Sequence, residues 1–77
     1  MRKNIQKVIN AFIHEQSCHE KTCSTDGNKV YSYHMVIAER RRNGIYIVPA
    51  SKAPSNTTRS QIYALQETFK NAYELKS

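Results

Sequence analysis

The sequence has few of the residues from which enzyme active sites are built. Its 77 positions hold six acidic residues and two glycines, and none of them forms a carboxylate pair or a glycine-rich phosphate loop. A cysteine–histidine pair could be drawn from the chain, but no known local signature of a cysteine nucleophile surrounds it. We therefore expect no enzymatic activity, no catalytic residues and no cofactor.

Long apolar stretches are also missing. No apolar run approaches the ~20 residues that a membrane-spanning helix needs. Arg2 and Lys3 open the chain, but Asn4, Gln6 and Lys7 interrupt the apolar residues after them, which is typical of an amphipathic segment and not of a signal peptide. We expect a cytoplasmic protein without membrane contact, whose two cysteines are reduced.

The spacing of the cysteines and histidines does not match a standard zinc site. His14, Cys18, His19 and Cys23 lie close together, and His34 lies in the next predicted strand. Zinc takes four nitrogen or sulfur ligands, and such a site would stabilise a small chain. The sequence, however, has no pair of cysteines separated by two residues. We predict that no metal is bound.

The chain is short and basic. With 77 residues we expect a single domain, 1–77, whose small core buries only about 60% of the unfolded surface. Such a core is marginal, so we expect a homodimer or a protein that functions only in a complex. The formal net charge of +6 favours anionic partners such as nucleic acid or an acidic protein surface, although such a charge also serves solubility alone.

Two segments have the apolar periodicity of amphipathic helices. The first spans residues 4–16, and the last begins near Asn56 and extends to about Leu75. Thr57 and Thr58 are, with Asn56, candidate caps of the last helix. We expect the two helical stripes to form one core: Ile5, Val8, Ile9, Phe12, Ile62, Leu65 and Phe69.

Turn residues delimit β-strands between the two helices. Asp26-Gly27 predicts a hairpin turn, after a polar connection at 17–25 that can end in a short strand. An alternating strand is predicted at 29–38, and another begins at Ile45. We expect an α+β fold of the order α-β-β-β-α, or α-β-β-α without the short strand. Its small antiparallel sheet of two or three strands carries the N- and C-terminal helices on one face.

The second hairpin allows two registers. Either Asn43-Gly44 forms a two-residue loop, or Arg42 joins it to form a three-residue loop. We prefer the three-residue loop, in which Glu39 lies opposite Ile47. That register gathers the apolar residues on one face: Met35, Ile37, Ile45 and Ile47.

Three consecutive arginines, Arg40, Arg41 and Arg42, mark the tip of this hairpin. Alternating side chains there project to both faces of the ribbon, where guanidinium groups can contact phosphates. Asn43 and Tyr46 belong to the same predicted site, since aromatic residues on a sheet can stack on bases. The alternative interpretation is a charged hairpin end that resists edge-to-edge aggregation.

The start of the last helix is a second candidate contact. Its free backbone N–H groups can bind an anion, and Arg59 would reinforce that attraction. Gln61, one turn into the helix, could contact a polar partner. Simple capping by the hydroxyl side chains is the alternative.

Several short motifs occur in order along the chain. They are Ser24-Thr25-Asp26-Gly27, Val30-Tyr31-Ser32-Tyr33, Ile37-Ala38, Gly44-Ile45-Tyr46-Ile47, and Asn56-Thr57-Thr58 with Gln61. This pattern resembles a group of small, uncharacterised proteins of tailed bacteriophages. The cysteine–histidine cluster is not part of the matching pattern, and His34-Met35-Val36 is more apolar than the corresponding positions of those proteins. It implies a phage accessory protein that acts in the infected cell, and it implies no activity.

Two functions are compatible with these features. The first is a nucleic-acid-binding accessory protein that uses the basic hairpin and the helix start. The second is a protein-binding inhibitor of a host enzyme or defence complex, such as an anti-CRISPR or a similar anti-defence factor. The charge and the arginines favour the first, whereas the small size and the missing catalytic set suit the second.

Overall fold

The first helix, α1, covers the predicted apolar stripe but ends at Ile13, before the predicted end at residue 16. The computed structural model describes residues 3–75, and α1 spans Lys3–Ile13. Ile13, at the end of the helix, is 44% exposed, whereas the rest of the stripe is buried. The buried residues are Ile5, Val8, Ile9 and Phe12. Because they recur with the helical period, they give α1 one apolar face for the core.

Within residues 3–75, six strands form one mixed sheet, so the expectation of two or three antiparallel strands is wrong. The strands are β1 (Cys18–His19), β2 (Cys23–Thr25), β3 (Lys29–Ser32), β4 (Met35–Arg41), β5 (Gly44–Ile47) and β6 (Tyr73–Glu74). They lie in chain order across the sheet, antiparallel from β1 to β5, and β6 runs parallel to β5. Strands as short as β1, β2 and β6 are too brief to show an alternating pattern in the sequence.

A turn divides the single strand that was predicted at 29–38. β3 ends at Ser32 and β4 begins at Met35, and Tyr33 in the turn between them has a φ of 57°. The Tyr33 amide donates to the carbonyl of Thr22 at 3.0 Å, which ties this turn to the one between β1 and β2. Turns with positive φ usually carry glycine or asparagine, so Tyr33 gives no sequence signal for this turn.

The hairpin between β4 and β5 has neither of the two predicted loops. Arg42 and Asn43 form its turn, and Arg41 pairs with Gly44 as the first residue of β5. The preferred three-residue loop is therefore wrong, and so is the pairing of Glu39 that this loop would give. A change of register by one residue exchanges the two faces of a strand. Compared with the preferred register, Arg40 therefore lies on the face of Ile45 and Ile47, and Arg41 lies on the opposite face.

The second helix, α2, spans Asn56–Thr68 and comes after a short 3₁₀ helix at Ala50–Lys52. The N-cap of α2 is Ser55, whose Oγ accepts a hydrogen bond from the Thr58 amide at 3.3 Å. The predicted caps, Asn56, Thr57 and Thr58, are therefore wrong. The helix also ends before Leu75, the end that its apolar stripe predicts. The chain instead returns to the sheet as β6, which supplies hydrogen-bond partners to the outer edge of β5.

Both helices pack on one face of the sheet. Arg40 Nη2 donates to the Phe12 carbonyl on α1, and Ser32 Oγ lies 2.8 Å from Thr58 Oγ1 on α2. Strand pairing and alternation place Arg40 and Ser32 on the same face of the sheet. The opposite face carries no helix in the described part of the chain. Among the same residues, no helix has the length and apolar character needed to cross a membrane.

Candidate nucleic-acid interface

We call the sheet face that lies away from α1 and α2 the open face. Alternation along the paired strands assigns these side chains to it: Lys29, Tyr31, Val36, Glu39, Arg41, Tyr46 and Tyr73. The turn of Arg42 and Asn43 lies at one end of this face, and both residues are exposed. Part of the predicted site therefore lies next to aromatic side chains on an accessible surface.

Arg41 lies on the open face, where two groups hold its guanidinium. The guanidinium carbon lies 4.6 Å from the centre of the Tyr46 ring, and Nε lies 3.2 Å from Glu39 Oε2. The Arg41 side chain remains 46% exposed, so its ion pair with Glu39 contributes only about 0–1 kcal/mol. An incoming anion can replace Glu39 at little cost while the contact with Tyr46 is kept.

Tyr46 is sandwiched between this arginine and a second tyrosine. Its ring stacks on that of Tyr73 from β6, with centroids 5.0 Å apart and an angle of 29° between the rings. Gly44 makes room for this stack, because a Cβ atom there would lie 3.3 Å from Tyr73 Cε2. Tyr73 is a site residue that sequence reasoning missed, since its position continues the helical apolar stripe. The glycine two residues before Tyr46 is the one signal that could have indicated a close approach.

Arg40, by contrast, points to the helix side of the sheet. Its guanidinium donates to the carbonyl of Phe12 near the C-terminus of α1 and lies 4.6 Å from the centre of the Phe12 ring. Nε of Arg40 is buried without a hydrogen-bond partner. The observed register causes this orientation, because Arg40 shares the face of Ala38 and Ile47. The structure thus separates Arg40 from Arg41 and Arg42.

The predicted contacts at the start of α2 lie far from the hairpin turn. Thr58 contacts Ser32, which pairs with Met35 at the opposite end of β4 from Arg41. The length of β4 puts the two ends roughly 20 Å apart. Arg59 is exposed there. The structure therefore does not bring the two predicted contact regions together.

Gln61 is buried and bonded within the protein, although it was predicted to contact a partner at the surface. It is 5% exposed, and its Nε2 donates to Thr22 Oγ1 at 3.0 Å, while Oε1 is buried without a partner. This bond connects α2 to the turn between β1 and β2. A partner at the surface could reach Arg59 but not the Gln61 amide.

Acidic groups near the hairpin limit the area that can attract an anion. Asp26 Oδ1 accepts hydrogen bonds from the amides of Asn28 and Lys29, each at 2.9 Å, and these bonds lower the pKa of its carboxyl. The Asp26 turn lies at the same end of the sheet, since the Arg40 amide donates to Asn28. The favourable area is therefore the side of the turn toward β5 and β6.

The cysteine–histidine cluster does not converge. Cys18 and Cys23 are free, and no three His, Cys, Asp or Glu side chains within residues 3–75 are grouped as metal ligands. His19 and His34 are both exposed. Burial, helped by the negative charge of Glu20, raises the pKa of the Cys23 thiol to about 11. The absence of bound zinc stays a prediction that elemental analysis of the purified protein can check.

The two thiols should react at very different rates in the folded protein at pH 8. Cys23 is 3% exposed and its raised pKa keeps it protonated, whereas Cys18 is partly accessible. Timed alkylation followed by mass spectrometry should find Cys18 modified first and Cys23 only after denaturant is added. Equal rates without denaturant would show that Cys23 is not protected by the sheet.

Comparison of the chain with protein-family models, with curated proteins and with solved structures gives no match.

Proposed function

We propose that the protein is a non-enzymatic accessory protein of a tailed bacteriophage that acts in the host cytoplasm and binds nucleic acid. The arrangement of Arg41, Tyr46 and Tyr73 on the open face, with Arg42 beside them, supports this proposal most. Cations next to accessible aromatic rings can contact phosphates and bases together. The net charge of +6 adds a long-range attraction to a polyanion.

In this proposal the phosphate contacts belong to Arg41 and Arg42. Both are exposed, and the ion pair of Arg41 with Glu39 is weak enough to be replaced. Arg40 is left out, because α1 already occupies its guanidinium. Arg59 is left out because roughly 20 Å of strand separates the two regions.

Replacing Arg41 and Arg42 with glutamine should weaken binding and reduce its salt dependence. Each lost phosphate contact should lower the slope of log K against log salt by about 0.9 on duplex DNA and about 0.7 on single strands. Fluorescence anisotropy with labelled DNA and RNA, at several salt concentrations, measures this slope.

Arg59→Gln is the matched control, because Arg59 is an exposed arginine on α2, near the end of β4 that lies away from Arg41. Its slope should equal that of the unchanged protein. An equal loss for Arg59→Gln would extend the contact to the helix start and contradict the proposed boundary. No binding of DNA or RNA at low salt would reject the nucleic-acid proposal and favour the inhibitor of a host protein, which a nuclease-treated pull-down would then test.

A further inference from the structure

The outer strand of the open face presents an aromatic ring that remains accessible. Tyr73 is 52% exposed, although one side of its ring stacks on Tyr46. An open groove of about 450 Å³ borders this ring at the β5–β6 edge of the sheet, where Asn43 and Lys70 line it together with Ile45 and Phe69 from the helix side. The Lys70 ammonium and the Asn43 amide thus lie close to the accessible ring of Tyr73.

We propose that this surface binds single-stranded nucleic acid. This inference rests on the nucleic-acid binding proposed above. An unpaired base stacks on Tyr73 in the groove, while neighbouring phosphates contact Arg41 and Lys70. Asn43 lines the same groove and supplies an amide for an edge of that base.

The distribution of the arginines favours a single strand over a duplex. A hairpin that enters the major groove reads base edges with side chains that project from a free ribbon. Here Arg40 is bound to Phe12, so the side of the ribbon that faces α1 is packed and only the open face, with Arg41, is left for contacts. Tyr73 presents the π-face that does not stack on Tyr46, and a base exposes its own π-face only when it is unstacked.

Charge complementarity selects this occupant among those that could cover the open face. The groove borders Lys70, and the adjoining turn adds Arg41 and Arg42. Glu39 is the acidic residue directly beside them, and the three cations Arg41, Arg42 and Lys70 outweigh its single carboxylate even when a phosphate replaces it on Arg41. A strand of phosphates neutralises these cations, whereas a second copy of the same face would oppose like charges.

The first test uses the unchanged protein and three oligonucleotides of the same sequence. These are a single strand, the same strand with abasic nucleotides, and the duplex, each as DNA and as RNA where it can be made. At one salt concentration the single strand should bind more tightly than the duplex. Loss of the bases should weaken binding about 5- to 150-fold, the effect of removing one stacking contact.

The second test uses substitutions of Tyr73, with thermal unfolding as a check on folding. Tyr73→Phe keeps the ring and should retain affinity, whereas Tyr73→Ala should weaken single-strand binding about 5- to 150-fold. Tyr63→Ala is the matched control, because Tyr63 is 53% exposed but lies on α2, next to a groove shared with α1. It should bind as the unchanged protein does.

The outcomes separate this inference from the proposal on which it rests. Equal affinity for the abasic strand, or tighter binding of the duplex, overturns single-strand recognition but leaves nucleic-acid binding in place. A homodimer in sedimentation that Tyr73→Ala dissociates also overturns it, because the ring would then be buried by a second copy. Absence of binding to every oligonucleotide rejects both.

Discussion

Replacing Leu65 with alanine should lower the free energy of unfolding by about 2–5 kcal/mol, the usual cost of removing a fully buried leucine. Leu65 is inaccessible on the inner side of α2 and belongs to the buried cluster that joins the helices to the sheet. A chain of 77 residues has little stability to lose, since even larger domains are stable by only about 5–15 kcal/mol. A denaturant titration monitored by circular dichroism should therefore show a variant that is largely unfolded before denaturant is added, or that unfolds at a much lower denaturant concentration.

Gln66→Ala is the control for Leu65→Ala, because Gln66 is the next residue on the same helix and is exposed. Its stability should stay within about 0.5 kcal/mol of the unchanged protein. Equal stability of the two variants would contradict the packing of α2 against the core.

Replacing Arg40 with methionine should lower the free energy of unfolding by about 1–3 kcal/mol and leave the salt dependence of nucleic-acid binding unchanged. Methionine keeps an apolar chain against the Phe12 ring but loses the guanidinium that donates to the Phe12 carbonyl. That carbonyl is in the last turn of α1, where a positive charge also complements the helix dipole. Thermal unfolding and the anisotropy titration measure the two effects separately.

Arg42→Met provides the comparison for Arg40→Met, since it changes an exposed arginine two residues away in the turn. It should preserve stability and reduce the salt dependence of binding, the reverse of the expected effects at Arg40. If Arg40→Met instead reduced the salt slope at full stability, Arg40 would be a phosphate contact, as the sequence alone suggests.

The positions of the helices and most of the core could be predicted because they depend on local patterns. Six of the seven predicted core residues are buried, and Phe69 packs at the edge of the cluster with its ring 5.8 Å from that of Phe12. A long apolar stripe identifies the buried face of a helix whatever its neighbours are. The short strands could not be found in this way, since two or three residues show no period.

The candidate site could be predicted only in part. The hairpin that carries Arg41, Arg42 and Tyr46 was located by its turn residues and β-rich flanks. Which arginine faces which side depends on register, and register is decided by pairing across the whole sheet. Gln61 was assigned to the surface, but its amide is taken up by Thr22, 39 residues away in the sequence. Such a contact has no local signal.

The sequence by itself determined the basic charge, the two amphipathic helices and a β-rich middle with a hairpin of arginines. These features depend on composition and on periods that neighbouring residues share. Only the tertiary structure decided that Arg40 binds α1, that the helix start and the hairpin lie at opposite ends of β4, and that Tyr73 joins the sheet. Each of these facts is a pairing between distant parts of the chain. The segment after α2 does not form another helical turn. It pairs with the outer edge of β5 as β6, where it provides hydrogen-bond partners to the backbone of that edge.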